Sequence, residues 1–552
     1  MWKKHPKALP FLFFSEMWER FGYYLMVGIF TLYLKDVTDG FAMTERESAD
    51  LYGTFIALVF LTPFLGGLLA DRYIGYRRSI IGGGILMGIG YCLLFIHNIT
   101  AVYIAMTLVI IGNGFFKPNI STLLGNVYST PEHTLQKDDG YNIFYMGINL
   151  GAFICNFISA WLYTEYGWGY AFLSAGIGMF LGVIIFMIGT KHYRAYDIRK
   201  GVSENDMPMS RIVLMILVPS IIAGVIGWLI KGVESSTNPD AFIFGSDSTD
   251  AFIFACIPVI YFYASLYFKA RSDERRPIAA LLAIFAVVIL FWAVFKQNGS
   301  ALNTWADRYT DRAVTGTSEK VFLAFKQARP LAYKKDSVAV YDQQFRLRKE
   351  GGQVVKEYNY PTYFRNMHET SKPSDGNEVT LWATNLSQSI NPGWVIILTP
   401  LIVAFFTYLR RRNREPSTAT KIAFGLFISA LSALVMVGAV YASNNGTEKA
   451  SVLWLITSYG VITIGELLLS PMGLSLVSKL SPVRITSLMM GGWFLSTSIG
   501  NKLSGVLATM WDNYDHKANY FWLNFSLLMA AAIMCFAMLR WLNRIMKEKG
   551  VK

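Results

Sequence analysis

Glu16, Glu19, Arg20 and Tyr23 stand at i, i+3, i+4 and i+7 of an otherwise apolar run, so a helix places all four on one face. Two carboxylates and one guanidinium in such a stripe can exchange partners when a proton arrives, which makes the set a candidate proton site. The competing reading is a charged interfacial cap on a first helix, although the charges lie several residues past the helix start. Lys117 ends the apolar run Gly112-Asn-Gly-Phe-Phe-Lys117-Pro118-Asn119. It is either a lysine snorkelling to the interface or a cation for a ligand carboxylate or for Glu16 and Glu19. Glu466 is the only acid between Val452 and Lys479. A lone carboxylate at mid-span invites a cation, either a ligand ammonium or a base on a neighbouring helix. Lys296, in Phe291-Trp292-Ala-Val-Phe-Lys296-Gln297, lies near the end of its span, where snorkelling is again a serious alternative. Asp71-Arg72 and Arg77-Arg78, after Gly66-Gly67, form a short basic turn suited to latching helix ends. Ionisable groups inside apolar spans are costly, so each is by default a functional hypothesis.

The elements that must position these residues are membrane helices. Of 552 residues, 53% are apolar and only 16% charged, with mean hydropathy +0.37. That charge is too little to cover a water-facing surface. Apolar blocks recur at lengths close to a membrane crossing. They place spans at 10–34, 51–70, 79–97, 101–125, 140–163, 168–190, 211–231, 251–269, 277–297, 392–410, 417–442, 451–478, 484–508 and 519–543. The expected class is therefore an all-α membrane protein of about fourteen spans. The N-terminal run is expected to be an uncleaved first span, because Glu16, Glu19 and Arg20 interrupt it and no small-residue cleavage site follows.

Basic residues collect on one side of this pattern: Lys3, Lys4, Lys7, Arg72, Arg77, Arg78, Lys191, Arg194, Arg199, Lys200, Lys269, Arg271, Arg275, Arg276, Arg410, Arg411, Arg412, Arg414, Lys547 and Lys549. The other side holds Asp36, Asp39, Glu45, Glu47, Asp240, Asp247 and Asp250. The basic side is expected to be cytoplasmic, with both termini. The net charge of +13 thus reads as loop bias rather than a nucleic-acid surface. Residues 298–391 form a long polar insert on the opposite side, with a hairpin expected from Ser337–Leu347 and Gln353–Tyr358 across Gly351-Gly352.

No enzyme constellation can be assembled. The six histidines are scattered, no HExxH or Walker A motif occurs, and Gly82-Gly83-Gly84 lies within a span, where it favours close helix packing. Cys92, Cys155, Cys256 and Cys535 all lie in apolar stretches. No cofactor is implied, and an ion gradient is the expected energy source.

The chain resembles the proton-coupled oligopeptide transporters (POT/PTR) of the major facilitator superfamily. The motif E-x-x-E-R-F-x-Y-Y is met by Glu16 to Tyr24, the loop motif by Gly67 to Arg78, and G-N-G-x-F-K-P-N by Gly112 to Asn119. Phe144-Tyr145-Met-Gly-Ile148-Asn149-Leu-Gly151 resembles the family signature. Glu466 with Ser470-Pro471, and Gly492-Trp493 with Asn501, also look like family positions. The resemblance implies two six-helix bundles plus two extra helices: residues 1–190, a linker 191–276 carrying the extra pair, and 277–552 interrupted by the insert 298–391. It implies proton-coupled import of di- and tripeptides by alternating access in a bacterial inner membrane, with the lipid bilayer around a monomer. It assigns the peptide amine to Glu466, and the carboxylate end to Lys117 with Tyr23, Tyr24 and Asn149. Trp292 and Trp493 would line side-chain pockets, and Glu16, Glu19 and Arg20, with Lys117, would couple the proton.

Three positions depart from the family pattern. An arginine is usual where Val27 stands, an acid where Lys296 stands, and a tyrosine where Phe60 stands. Lys296 is then expected to replace the missing arginine as a carboxylate ligand, with proton coupling resting more heavily on Glu16 and Glu19. Two alternatives follow: a same-fold transporter of another solute with altered or lost coupling, or a receptor or scaffold working through the insert.

Overall fold

A computed structural model of the chain describes residues 5–129, 132–133, 137–197, 213–230, 246–482 and 486–548. Of the orientation-setting residues, Lys3, Lys4, Arg199, Lys200, Asp240 and Lys549 lie outside them, as do the edges of the expected spans 211–231 and 484–508.

Six helices come first: α1 (Leu9–Lys35), α2 (Glu45–Leu69), α3 (Tyr76–Leu93), α4 (Ile99–Val127), α5 (Lys137–Tyr166) and α6 (Trp168–Tyr193). Then come α7 (Val218–Leu229, preceded by a π turn) and α8 (Asp247–Phe268). The rest are α9 (Ser272–Phe295), α10 (Ala301–Arg308), α11 (Gly316–Ala324), α12 (Ile390–Arg411), α13 (Thr418–Ala442), α14 (Val452–Leu480), α15 (Thr486–Thr509) and α16 (Lys517–Glu548). Each expected span falls on one of these helices. Ten helices among the described residues are long and apolar enough to cross a membrane. The other four are α1, with its charges, the glycine-rich α3 and α15, and the short α7.

Local signals fix the helix starts. Thr44 and Glu47 form a reciprocal capping box on α2. Asn98, Ser246 and Ser451 cap α4, α8 and α14 through their side-chain oxygens. Gly75, at φ +89°, turns the chain from the π turn Ala70–Ile74 into α3. Asp197 accepts from Tyr76 N at 2.9 Å and caps the start of α3 beside Arg77 and Arg78.

Two large apolar cores dominate the described residues. One is built from α1 to α6, around Phe30, Phe55, Tyr91 and Phe116. The other is built from α9, α10 and α12 to α16, around Phe291, Trp305, Trp511 and Tyr520. Helices α7 and α8 pack on each other, and α8 packs on α2, α9 and α15.

The halves meet tightly at the end that carries the insert. A Cβ on Gly53 of α2 would lie 2.7 Å from Gly505 Cα of α15, so only glycine allows this approach. Thr31 Oγ1 donates to Gly299 O at 2.8 Å, and Asn385 Nδ2 donates to Asn156 O at 2.8 Å. Lys35 Nζ donates to Glu45 Oε2 at 3.0 Å and to Thr304 Oγ1 at 2.6 Å.

The polar insert expected from 298 leaves the membrane helix later than that. A 3-10 turn at Lys296–Gly299 leads into α10, and the helical run ends at Arg308. Asn303 and Thr304 stay buried because the first half supplies their partners: Gly28 O, Thr31, Lys35 and Glu45. The insert then folds into three antiparallel strand pairs. β1 (Ala328–Ala332) pairs with β6 (Glu378–Trp382), β2 (Asp336–Ala339) with β5 (Lys356–Asn359), and β3 (Lys349–Glu350) with β4 (Gln353–Val354). The expected hairpin turns at Gly351-Gly352, both at positive φ. Its first strand is shorter than Ser337–Leu347, because the chain loops out to bury Phe345 against Tyr309. Lys349 reaches Glu47 at 3.4 Å and Arg346 reaches Asp512 O at 3.1 Å, so the insert touches both halves.

Candidate functional site

The charged face of α1 is assembled as its spacing requires. Arg20 donates to both carboxylate oxygens of Glu19, and its Nε lies 3.5 Å from Glu16 Oε1. All three side chains are buried. The guanidinium also lies 4.9 Å from the Tyr23 ring centroid. Asn113 Nδ2 donates to Glu19 Oε1 at 3.1 Å from α4. Glu16 Oε2 is buried with no hydrogen-bond partner among the described residues. One arginine therefore serves two carboxylates and leaves one oxygen without a partner among the described residues. These charges sit inside α1 rather than at its start.

Lys117 lies well inside α4, which continues ten residues past it to Val127. Its ammonium sits 4.1 Å from the Phe60 ring centroid. Lys296 is 8% exposed, and its ammonium lies 5.2 Å from the same ring. It too is withdrawn from the surface, because the helical run continues past it to Arg308. Lys296, from the second half, thus meets Phe60, from the first. Its electrostatic neighbours include Glu466 and Arg20.

Glu466 accepts from Asn391 Nδ2 at 3.2 Å, and Asn391 also donates to Thr463 Oγ1 at 2.8 Å, one turn before Glu466. Asn391 was not legible as a site residue, since it stands at the polar start of α12, far from Glu466 in the chain. Asn113 was legible in principle: it lies four residues before Lys117, on the same helix face.

The aromatic candidates divide. Tyr23 is buried in the first core, whereas Tyr24 is partly exposed and feels the charge of Glu466. Trp292 is buried, and its Nε1 has no hydrogen-bond partner among the described residues. Trp493 is 3% exposed and packs edge-on to Phe285 with its ring over Gly473, within the second core. Asn149 is half-buried and donates to Tyr145 O of its own helix at 3.0 Å. The structure therefore gathers Glu16, Glu19, Arg20, Lys117, Lys296 and Glu466, with Trp292 and Tyr24 at the edge. Tyr23 and Trp493 support from the two cores.

Two helical bundles with charged groups facing across their junction fit a membrane transporter. The sequence profile of the POT family, PTR2, matches residues 77–321 and 383–523. The chain belongs to the POT family. It is 29% identical over 513 residues to the di-/tripeptide transporter of Lactococcus lactis subsp. lactis (strain IL1403), covering 92% of this chain and 89% of that protein. It is 27% identical over 512 residues to dipeptide and tripeptide permease A of Escherichia coli (strain K12), covering 92% and 85%. A crystal structure of peptide transporter POT in complex with sulfate superposes with a TM-score of 0.74 at 25% identity, covering 99% of this chain and 96% of that one. A mutant of peptide transporter POT in complex with alafosfalin gives 0.74 at 26% identity, covering 99% and 97%.

Proposed function

We propose that the protein is a proton-coupled symporter that imports di- and tripeptides by alternating access. The observation that carries this reading is the sharing of Arg20 between Glu16 and Glu19, opposite a separate carboxylate, Glu466, on the other half. Protonation of Glu16 or Glu19 releases Arg20 from one partner, and this change is felt at the junction where substrate binds. Glu466 takes the peptide amine. Lys117 takes the terminal carboxylate, with Tyr24 and Asn149 near by. Trp292 lines a side-chain pocket, while Tyr23 and Trp493 hold the walls of the site. The relatives' peptide specificity and the matching backbone support the substrate class.

In this reading the basic loops and both termini face the cytoplasm, the insert faces outward, and a monomer in the bacterial inner membrane suffices. The test is uptake of labelled dialanine into proteoliposomes under an inward proton gradient. Uptake that needs the gradient, and that Glu466→Ala abolishes, is the expected result. Exchange without gradient dependence would mean that coupling is lost, and absence of peptide movement would turn the reading to another solute of the same fold. The specific feature favouring that alternative is Lys296, a cation where the family pattern implies an acid.

A further inference from the structure

Lys117 of α4 and Lys296 at the end of α9 point their ammonium groups at one ring, Phe60 of α2, 4.1 and 5.2 Å from its centroid. Lys296 also lies 5.6 Å from the ring centroids of Trp292 and Phe295. Neither ammonium makes an ion pair or a hydrogen bond among the described residues. The third cation of the cluster, Arg20, is held by both Glu19 and Glu16. A ring face attracts a cation but accepts no ammonium proton in the manner of a carboxylate. Two like charges sharing one ring leave six N–H donors without an acceptor among the described residues.

Charge balance points to the ligand that would meet those donors. The cluster holds three carboxylates, Glu16, Glu19 and Glu466, against three cations, Arg20, Lys117 and Lys296. When a substrate amine pairs with Glu466, Lys296 loses its neighbouring opposite charge. Lys117 is then occupied by the terminal carboxylate, and Lys296 alone faces a low-dielectric site without an anion. A proton bound at Glu16 or Glu19 adds one further positive charge. An uncompensated buried cation is costly, and a second substrate carboxylate removes that cost and brings the loaded, protonated site to neutrality.

We propose that Lys296, beside Lys117 over Phe60, forms a second anion subsite, and that the preferred substrates are short peptides carrying an acidic side chain as well as the terminal carboxylate. This rests on the peptide reading above and names the substrate class within it. Lys296 is then the specificity-determining residue, and the phenyl face of Phe60 keeps the two ammonium groups free for ligand.

The test is competition against labelled Ala-Ala uptake in proteoliposomes by Ala-Glu and by its uncharged isostere Ala-Gln. Ala-Glu is expected to inhibit at a concentration about tenfold lower than Ala-Gln, as a desolvated charge pair requires. Lys296→Gln should bring the ratio to about one and Lys296→Arg should keep it, since both keep an extended polar side chain and only the second keeps the charge. The ratio is taken within one preparation, so a loss of folded protein cancels. Equal inhibition by the two peptides, or a preference that survives Lys296→Gln, overturns the acidic subsite while leaving peptide transport standing. No uptake of Ala-Ala by the unmodified protein overturns both.

Discussion

Lys502 of α15 donates a 2.8 Å hydrogen bond to Asp50 Oδ1 of α2, and this ion pair crosses from one half of the molecule to the other. The same ammonium donates to Thr54 Oγ1 at 2.7 Å and to Ser248 Oγ at 2.9 Å. Ser246 and Ser248, at the start of α8, donate to the Asp50 carboxylate at 2.8 and 2.7 Å. The extra helix pair is therefore pinned to the closed end of the junction. Lys502 is 1% exposed, so its charge depends on these partners.

Lys502→Met should leave Asp50 without its cation at a largely buried position. A loss of about 3 kcal/mol is expected for breaking such a pair. It is read as a lowered midpoint in thermal unfolding of the detergent-solubilised protein. The double variant Asp50→Asn, Lys502→Met should recover most of the loss, because no uncompensated charge then remains. A double variant no better than the single one would mean that the pair acts through packing.

Gly53→Val tests closure at the same end. Its added carbons would run into the Gly505 backbone, since a Cβ alone would already lie 2.7 Å from Gly505 Cα. The halves can then no longer meet between α2 and α15. Transport should fall to background while the protein still assembles in the membrane. A cysteine introduced near the junction should become reactive to a membrane-impermeant thiol reagent from the insert side. Normal transport by this variant would show that tight closure here is dispensable.

Arg20→Lys should uncouple rather than unfold. Lysine keeps the charge but loses the planar fork that serves Glu19 and Glu16 together. Gradient-driven dialanine uptake is expected to drop about a hundredfold, as for a removed buried charge contact, with counterflow exchange less affected. Equal loss of both modes would place Arg20 in substrate binding instead.

Lys449, in the loop between α13 and α14, gives the stability a pH dependence. Its ammonium donates to Arg308 O at 2.8 Å and lies 4.1 Å from the Tyr363 ring. Burial, reinforced by the nearby Arg312 cation, pushes its pKa down from 10.5 to about 7. The unfolded chain therefore holds more protons than the folded one between about pH 7 and 10, and stability rises with pH across that window. The side chain is only partly buried, so a gain of about 1 kcal/mol from pH 7 to 9 is expected. Lys449→Met should flatten the rise in unfolding midpoint, and a rise of unchanged slope would assign it to other groups.

The charged stripe of α1 was legible in the sequence because the contacts of Glu16, Glu19 and Arg20 are made within one helix turn. Helical periodicity alone sets which of these side chains can touch. The spans were legible for a similar reason, since each backbone crossing a bilayer must satisfy its own hydrogen bonds and shows a run of apolar residues. Snorkelling could not be decided that way for Lys117 or Lys296. It depends on how far the helix runs past the lysine and on what covers it.

The sequence by itself determined an all-helical membrane chain, a polar insert with a glycine-turned hairpin, and the inventory of charges within the spans. Only the tertiary structure decided which of those charges meet. Phe60, Lys117 and Lys296 come from three helices, and Asn391 reaches Glu466 across two. Asp50 and Lys502 lie at opposite ends of the chain and still form one ion pair. Such pairings depend on how two separately packed cores are set against each other. Local periodicity carries no record of that, because it constrains faces of single helices and not the distances between them.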